Sequence, residues 1–193
     1  MKSIAVFCAS GSGKTSEYAE NAYEVGKYLA NLGVRVVYGG SRLGLMGALA
    51  DGALGAGGKV IGVLPEFMLP YESAHQNLSE LIIVDSMQQR KLKMHEMSDG
   101  IITLPGGFGT FEELFEILTW AQLGLHQKPV GLLNHMNYFH YLIQMIDHMV
   151  KEGMLRKENA ARLLIDNKVE NLLKKMKEFI SPVTRIEMRP NQA

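Results

Sequence analysis

TLPGGFGTFEELFEILTW, from Thr103 to Trp120, is the stretch of sequence that decides the fold. A short apolar run at 101–104 predicts a buried strand, and a strongly helical segment follows the glycine-rich turn at 105–109. Such a turn, leading from a strand into a helix, brings free backbone N–H groups to the positive end of the helix dipole. This arrangement suits phosphate or another anion. The stretch therefore predicts an anion-binding strand–turn–helix unit.

Thr110 and Glu113 also have an explanation that needs no ligand. Thr-x-x-Glu is the pattern of a capping box, in which Thr110 would open the helix and Glu113 would lie in its first turn. Capping does not require three glycines in four positions, whereas close approach of a backbone to a ligand often does. We therefore favour a ligand at this turn.

The composition is that of an ordinary globular protein. The chain has 193 residues, of which 47% are hydrophobic and 21% charged. This length fits one domain, and we expect residues 1–180 to form it and 181–193 to form a loose polar tail. The formal net charge is zero, so we expect neither nucleic acid nor a membrane surface as a partner.

Cysteine and histidine usage limits the chemistry. The single cysteine, Cys8, excludes an internal disulfide framework and is expected to be a buried structural thiol. The six histidines form no metal-binding spacing, so we expect no metal and no cofactor, and His75 is expected to be solvated. The apolar run at 4–9 is shorter than the ~7–15 residues of a signal-peptide core. No run approaches the ~20 apolar residues of a membrane span, so we expect a cytoplasmic enzyme.

Strand-like and helix-like segments alternate along the chain. The predicted strands are 3–8, 34–38, 60–64, 81–84, 101–104 and 129–133, and the predicted helices are 16–31, 45–55, 87–98, 111–123, 138–151 and 169–179. Residues 65–79 are polar and irregular, which predicts a flap, and the apolar run 163–165 is not assigned. The alternation predicts an α/β fold with a parallel sheet and helices on both faces. Ligands bind such sheets beyond the carboxyl ends of the strands, where we expect 9–13, 39–44, 85–90 and 105–109 to meet.

Residues 8–15, CASGSGKT, offer an alternative site. They resemble a phosphate-binding P-loop, except that Cys8 stands where the pattern has glycine. Asp85 at the end of a predicted strand would supply a magnesium carboxylate, and Lys14 would contact phosphate. A P-loop phosphotransferase therefore stays open at this point.

MQQRK, residues 87–91, places two adjacent cations on a helix that begins at the ligand edge. Arg90 and Lys91 share a helical face with three methionines, which is unusual for a solvated surface, although snorkelling of their stems explains it without a ligand. Because of its place on the helix, Arg90 can reach into the site. Its guanidinium could clamp phosphate or ribose hydroxyls there.

The helix after the glycines is apolar on two sides. The predicted core side consists of Phe111, Leu114, Phe115, Leu118 and Ala121, and the opposite side carries Glu113, Ile117 and Trp120. A helix with two apolar sides is seldom exposed. We expect a twofold homodimer to cover the second side, although a strand or loop of the same chain could also cover it.

Three motifs together resemble one known family. PGGFGTFEE, residues 105–113, is similar to the PGGxGTxxE signature of the LOG (LONELY GUY) family. MQQRK resembles the second family motif, and YGGSRLGLMG, residues 38–47, resembles a further segment, except that Ser41 replaces its third glycine. The motifs occur in the family order, and the resemblance runs from about residue 3 to residue 179.

The resemblance implies a modified Rossmann fold, usually dimeric, and hydrolysis of the N-glycosidic bond of cytokinin riboside 5′-monophosphates to free base and ribose 5-phosphate. Some relatives act on AMP. Arg90 and Glu113 match the catalytic pair of the family. The substrate-binding residues that it implies are Glu72, Arg90, Lys91, Gly107, Phe108, Gly109, Thr110, Glu113 and Thr119. Family members have also been labelled lysine decarboxylases, but the sequence shows no lysine–acid arrangement that identifies a pyridoxal phosphate site.

The implied reaction suggests roles for the catalytic pair. Breaking a ribosyl–base bond builds positive charge on the ribose, which an ionised Glu113 would stabilise unless it orients water or ribose hydroxyls instead. A place near the helix N-terminus would favour that ionisation. Arg90 would hold the phosphate or the sugar. Three classes stay open: a nucleotide N-glycosidase, a P-loop phosphotransferase and a nucleotide-binding regulator without turnover.

Overall fold

A parallel β-sheet forms the centre of the protein. The computed structural model describes residues 1–70 and 73–182, and within them the sheet has seven strands in the order β4-β3-β2-β1-β5-β6-β7. The strands are β1 (Ser3–Phe7), β2 (Arg35–Tyr38), β3 (Val60–Pro65), β4 (Glu80–Val84), β5 (Gly100–Thr103), β6 (Val130–Leu133) and β7 (Leu163–Asp166). Every neighbouring pair is parallel. The predicted parallel sheet is therefore confirmed.

Helices cover both faces of this sheet. They are α1 (Ser16–Asn31), α2 (Gly44–Gly55), α3 (Met87–Glu96), α4 (Phe108–Gln122), α5 (His140–Lys151), α6 (Lys157–Ala160) and α7 (Val169–Glu178). Short 3-10 turns, Glu66–Met68 and His135–Asn137, follow β3 and β6. Helices α1, α2 and α7 pack on one face, and α3, α4 and α5 pack on the other. The α/β prediction with helices on both faces is confirmed.

Strand β1 lies at the point where the chain changes direction across the sheet. Its side chains alternate between the two apolar layers, and all are at most 2% exposed. From β1 the chain builds outwards to β4 on one side and then crosses to β5 on the other side. The loops after β1 and β5 therefore start side by side at the carboxyl edge and lead to helices on opposite faces of the sheet. The crevice between them is the switch point at which ligands bind in such sheets.

Helix α4 begins earlier than the sequence predicts. Its first residue is Phe108, Gly107 is the N-cap, and no side chain caps it. Thr110 lies inside the first turn and is buried against Gly106, where a β-carbon would lie 2.0 Å from the Thr110 hydroxyl. The alternative explanation, in which Thr110 and Glu113 form a capping box, is therefore excluded. Because glycine has no side chain to cap the helix, the first N–H groups of α4 are open to a ligand.

The rotation of α4 also differs from the prediction. Leu114, Ile117 and Ala121 pack on the sheet and are at most 3% exposed, whereas Phe115 is 38% exposed. Glu113 is buried as well. The assignment of Phe115 to the core side and of Glu113 and Ile117 to the outer side is therefore wrong. Both sides of the helix are apolar, so hydrophobic spacing alone could not decide which one faces the sheet.

The end of the chain differs in two ways from the prediction. The unassigned run 163–165 belongs to strand β7, which pairs with β6. Arg162 is buried and donates hydrogen bonds of 2.9 Å to Ser181 Oγ and to the Pro182 carbonyl oxygen. Residues 181 and 182 are thus anchored, and the rest of the predicted tail, 183–193, lies outside the described residues. Within the described ranges, no helix combines the length and apolarity that crossing a membrane requires.

Helices α1 and α2 touch backbone to backbone, as expected for a small-residue helix. A β-carbon at Gly26 would lie 2.0 Å from the Leu49 carbonyl oxygen, and one at Gly52 would lie 2.0 Å from the Tyr23 carbonyl oxygen. Glycine at these positions is therefore required by packing. The contact also fixes the start of α2, which carries one wall of the site described below.

Gly26→Ala should lower the free energy of unfolding by about 1–3 kcal/mol, because the added methyl group must push α1 away from α2. The better helix propensity of alanine offsets only about 1 kcal/mol of this cost. Urea unfolding followed by circular dichroism measures the effect. Gly109→Ala is the matched control, since Gly109 also lies in a helix and a β-carbon at this position would meet no atom within 4 Å. Equal stability of the two variants would contradict the close contact.

Candidate active site

A cavity of about 480 Å³ lies at the carboxyl edge of the sheet. It is lined by the loop after β1, by residues of α2, α3 and α4 and by the 3-10 turn after β3. Its wall consists of Cys8, Ala9, Ser10, Gly11, Met46, Met68, Met87, Arg90, Gly107, Gly109, Thr110, Glu112 and Glu113. The segments 9–13, 85–90 and 105–109 meet here as expected, whereas 39–44 does not line the cavity and is connected to it through the hydrogen bond between Gly39 and Arg90.

The turn into α4 offers main-chain groups to this cavity. Gly107 and Gly109 line it, and a β-carbon at either position would meet no atom within 4 Å. No packing contact therefore demands glycine there, and the space beside the turn is open. The Phe108 side chain is 97% exposed, so Phe108 can serve the cavity only through its backbone. The open N–H groups of a helix N-terminus are suited to bind an anion at this point.

Arg90 reaches the cavity from α3 and is buried, with 4% exposure. Its Nη2 donates to the Gly39 carbonyl oxygen at 3.2 Å, and its Nη1 lies 3.9 Å from Met87 Sδ. Its Nε is buried, and no described residue accepts a hydrogen bond from it. A β-carbon at Gly39 would lie 1.8 Å from Nη2, so only glycine at 39 leaves room for this guanidinium. Arg90 therefore has donors left for a ligand.

Glu113 lies on the same cavity wall and is 6% exposed. Burial raises the pKa of this carboxyl from 4.5 to about 7; the Arg90 cation lowers it, and Glu112 raises it. Its carboxyl group makes no hydrogen bond within 1–70 and 73–182. The expectation that a helix N-terminus favours its ionisation is wrong, because Glu113 is the sixth residue of α4 and the cost of burial outweighs the dipole.

Lys91 lies beside Arg90 in sequence but has a different environment. Its Nζ contacts Glu112 Oε1 at 2.5 Å and Glu116 Oε1 at 2.9 Å. Burial lowers the pKa of Lys91, but the hydrogen bonds to these two carboxylates outweigh it and raise the pKa overall. Lys91 thus connects α3 to α4 and is not part of the wall of the 480 Å³ cavity.

Thr119, another predicted substrate contact, is not brought to this cavity. Thr119 lines a separate apolar groove of about 190 Å³ between α4, α5 and α6. Glu72 lies outside the described residues. The structure thus brings together Arg90, Glu113 and the turn at 107–110.

Cys8 and His75 are both buried. Burial raises the pKa of the Cys8 thiol, and the nearby Glu113 raises it further, which disfavours a thiolate nucleophile. His75 Nδ1 accepts a hydrogen bond from the Asn77 backbone N–H at 3.2 Å, so its Nε2 carries the proton that it shares with Asp51 at 2.9 Å. The expectation that His75 is solvated is therefore wrong.

The strand order contradicts the P-loop alternative. Asp85 follows β4, the edge strand, which is three strands from β1. At ~4.8 Å per strand, this puts it roughly 14 Å from the loop after β1. Asp85 instead exchanges hydrogen bonds with Gln89, and Lys14 is exposed. Among the described residues, no group of three or more His, Cys, Asp or Glu side chains could hold a metal ion.

Sequence reasoning missed Gly39 and Tyr138. Gly39 shapes the pocket for Arg90, and the Tyr138 hydroxyl donates to the Gly106 carbonyl oxygen at 2.7 Å. The glycine pair after β2 marked its loop as unusual, but the contact with Arg90 spans 51 positions. No local pattern marks Tyr138.

The fold and the site define a Rossmann-like α/β protein in which a glycine turn at a helix N-terminus lies beside a buried arginine and glutamate. The X-ray structure of TM1055 is similar, with a TM-score of 0.71, 24% identity and coverage of 93% of this chain and 100% of that chain. The molybdenum cofactor binding protein from Rippkaea orientalis has a TM-score of 0.67, 23% identity and coverage of 91% and 95%. At these identities the likeness shows the fold.

Sequence relatives identify the family. A family model described as "Possible lysine decarboxylase" matches residues 46–176. A Rhodococcoides fascians protein named cytokinin riboside 5′-monophosphate phosphoribohydrolase is 44% identical over 89% of this chain and 87% of its own. An Arabidopsis thaliana protein of the same name is 40% identical over 93% of this chain and 84% of its own. The chain belongs to the LOG family, the family of these relatives.

Wild-type protein should lose stability relative to Glu113→Gln as pH rises from about 4.5 to about 7. In this range the native state retains the Glu113 proton, whereas the unfolded chain releases it near pH 4.5, so rising pH favours unfolding. Glutamine does not ionise. Between pH 4 and pH 8 the difference in unfolding free energy should shift by about 2–4 kcal/mol in favour of the variant.

Urea unfolding at a series of pH values measures this shift. Glu20→Gln, the same substitution at an exposed glutamate, is the control. If the difference in unfolding free energy between wild type and Glu113→Gln does not change with pH, the Glu113 carboxyl group is not held neutral by burial.

Proposed function

We propose that this chain hydrolyses the N-glycosidic bond of cytokinin riboside 5′-monophosphates, with AMP as a related substrate, to give free base and ribose 5-phosphate. The observation that carries the proposal is the meeting of two buried ionisable side chains, Arg90 and Glu113, with the open N-terminus of α4 in one cavity. Relatives named for this activity support it. The reaction needs an anion site, a group that faces the ribose and room for water, which the turn at 107–110, Glu113 and the cavity of about 480 Å³ would supply. We assign the enzyme to the cytoplasm, where a lone buried thiol such as Cys8 is ordinary.

The 5′-phosphate would bind the turn at 107–110. Backbone N–H groups at the start of α4 hold the anion, and the helix dipole favours its charge. The missing β-carbons of Gly107 and Gly109 leave the space that the phosphate oxygens occupy. Binding energy gained at this remote group then aligns the bond that breaks.

Glu113 would face the ribose. In the transition state the C1′–N bond breaks, its electron pair goes to the base, and positive charge develops on the ribose ring before water attacks C1′. An ionised Glu113 stabilises that charge, and low exposure strengthens the interaction. A pKa of about 7 means that both protonation states are present at neutral pH. The ionised form is the one that opposes the ribosyl charge.

Arg90 would hold the phosphate or the sugar hydroxyls. Its Nε is an unpaired buried donor, and its Nη2 is fixed by the Gly39 carbonyl oxygen. A guanidinium with one edge fixed by the protein is pre-organised to use its remaining donors on a ligand. Substrate binding would satisfy the donor that the described residues leave unpaired.

The lysine decarboxylase description fits this cavity less well. A pyridoxal phosphate enzyme needs a lysine that is free to form a Schiff base with the cofactor. Lys91 is the lysine nearest to the site in sequence, and it is held by Glu112 and Glu116. Lys14 is exposed on the loop after β1. A glycosidase is therefore the better interpretation.

The side of α4 that carries Glu113 and Ile117 was expected to be covered by a homodimer, but this expectation is wrong, because Ile117 packs on the sheet of the same chain. The 190 Å³ groove on the other side of α4 supports a homodimer instead. The outer side of α4 presents Phe115 and Thr119 to it, and α5 contributes Ile146 and Met149. Phe115 is 38% exposed, and apolar surface of this kind is commonly covered by a second copy in twofold oligomers. In such a dimer Thr119 would lie at the interface, away from the 480 Å³ cavity of its own chain.

Purified protein incubated with AMP or with isopentenyladenosine monophosphate should release free base, and EDTA should not change the rate. Arg90→Ala and Glu113→Gln should each lose at least ~10² in rate, because each removes a charge that acts on the transition state. Chromatography of the free base measures turnover. Arg156→Ala, a change at an exposed arginine, should retain it.

Near-normal turnover in folded Arg90→Ala or Glu113→Gln would remove these residues from their roles. Binding of AMP without base release would indicate a regulator. Magnesium-dependent phosphate transfer that fails in Lys14→Ala would restore the P-loop alternative.

Phe115→Glu should convert a wild-type dimer into a monomer at micromolar concentration, because it places a charge in the apolar groove. Light scattering measures the mass. Leu32→Glu is the control, since Leu32 is similarly exposed at 46% but lies at the end of α1, on the other face of the sheet. A monomeric wild-type protein would refute the dimer.

A further inference from the structure

Tyr138 touches the glycine turn at 105–109, the proposed anion turn, and with it lines a second cavity of about 160 Å³ beside the 480 Å³ cavity. Its hydroxyl donates a hydrogen bond of 2.7 Å to the Gly106 carbonyl oxygen. We propose that Tyr138 is a positioning residue: it fixes the peptide plane between Gly106 and Gly107 and so directs the Gly107 N–H towards the 5′-phosphate. This inference rests on the proposed function, because it places the phosphate at the turn.

The planarity of the peptide bond connects the two groups. The described residues contain no cis peptide bond, so the Gly106 carbonyl and the Gly107 N–H point in opposite directions. Gly106 lines a smaller cavity of about 160 Å³ together with Tyr138. Gly107 lines both this cavity and the larger one. Because the Tyr138 hydroxyl holds the carbonyl, the Gly107 N–H points away from Tyr138, and in the proposed role it faces Arg90 and Glu113.

The turn needs such a restraint because two consecutive glycines can rotate a peptide plane at little cost. The Gly106 carbonyl is also the i−4 acceptor for the Thr110 N–H. Without the hydroxyl, the carbonyl can turn and accept that bond, which would lengthen α4 backwards. In the lengthened helix the Thr110 N–H would donate to the Gly106 carbonyl and no longer be free for the anion. Gly107 would then turn away from the cavity.

The backbone before Tyr138 is built to hold the ring in place. Met136 and Asn137 both adopt left-handed conformations, with φ values of 52° and 57°. Two such residues without glycine persist only where the surroundings impose them. Asn134 Oδ1 accepts a hydrogen bond of 2.8 Å from the backbone N–H of Phe139, a residue that is 1% exposed.

Aromatic contacts complete the restraint. The Tyr138 ring meets the Tyr18 ring edge-on, with centroids 5.7 Å apart, and meets the Phe139 ring at 5.0 Å. Removing only the hydroxyl should leave both contacts in place. Tyr138→Phe therefore separates the hydrogen bond to Gly106 from the packing of the ring.

Tyr138→Phe should weaken the binding of ribose 5-phosphate about 3- to 10-fold, the factor expected for the loss of one hydrogen bond. Titration calorimetry with ribose 5-phosphate and with adenosine, which lacks the phosphate, measures the effect. Adenosine binding should not change. With AMP as substrate, the loss in kcat/KM should come mainly from KM. Tyr141→Phe is the matched control, since Tyr141 is 81% exposed, and it should behave as wild type.

Unchanged ribose 5-phosphate affinity in Tyr138→Phe would overturn the proposal. An equal loss of adenosine affinity would also overturn the proposal, because it would indicate a general structural role for Tyr138. Failure of the wild-type protein to bind ribose 5-phosphate would overturn it as well. The binding assay does not depend on turnover. If Tyr138→Phe loses only phosphate affinity and the wild-type protein releases no base, the role of Tyr138 is supported and the proposed hydrolysis is refuted. If wild type and Tyr138→Phe hydrolyse AMP at the same rate and with the same KM, only the role of Tyr138 is refuted.

Discussion

The pairing of β1 with β5 is the contact on which the site depends. Its ladder continues past the ends of both strands: the Leu104 N–H donates to the Phe7 carbonyl oxygen at 2.9 Å, and the Ala9 N–H donates to the Pro105 carbonyl oxygen at 3.1 Å. The loop after β1 and the turn into α4 are thereby held side by side where the chain changes direction. The start of α4, and with it Glu113, has a fixed position relative to β1. A slip in this register would move the anion turn away from Arg90.

Neighbouring charged residues have opposite roles in this arrangement. Lys91 and Glu112 satisfy each other in an ion pair between α3 and α4, while Arg90 and Glu113, their neighbours in sequence, face the cavity with unused hydrogen-bonding capacity. Buried groups without partners are costly, so proteins retain them chiefly where a function requires them. The ion pair between Lys91 and Glu112 supplies rigidity, and the two side chains that face the cavity supply the chemistry that we propose.

Local patterns predicted the sheet, six of its strands, the helices that cover it and the glycine turn with Arg90 beside it. The periodicity of apolar residues determines these features. The rotation of α4 could not be predicted, because Phe115 and Ile117 lie on two sides that are both apolar. The protonation of Glu113 depends on burial among distant elements, and the contacts of Gly39 with Arg90 and of Tyr138 with Gly106 join residues far apart in sequence. Such features arise from tertiary packing.

The orientation of Phe108 has a consequence for how this site can diversify. Its main chain belongs to the anion turn, while its side chain is almost fully exposed at the outer surface. One position therefore serves two independent purposes. Substitutions here can change the outer surface of the protein while the main chain of the turn remains the same. The surface and the ligand chemistry of the turn are thus free to evolve separately.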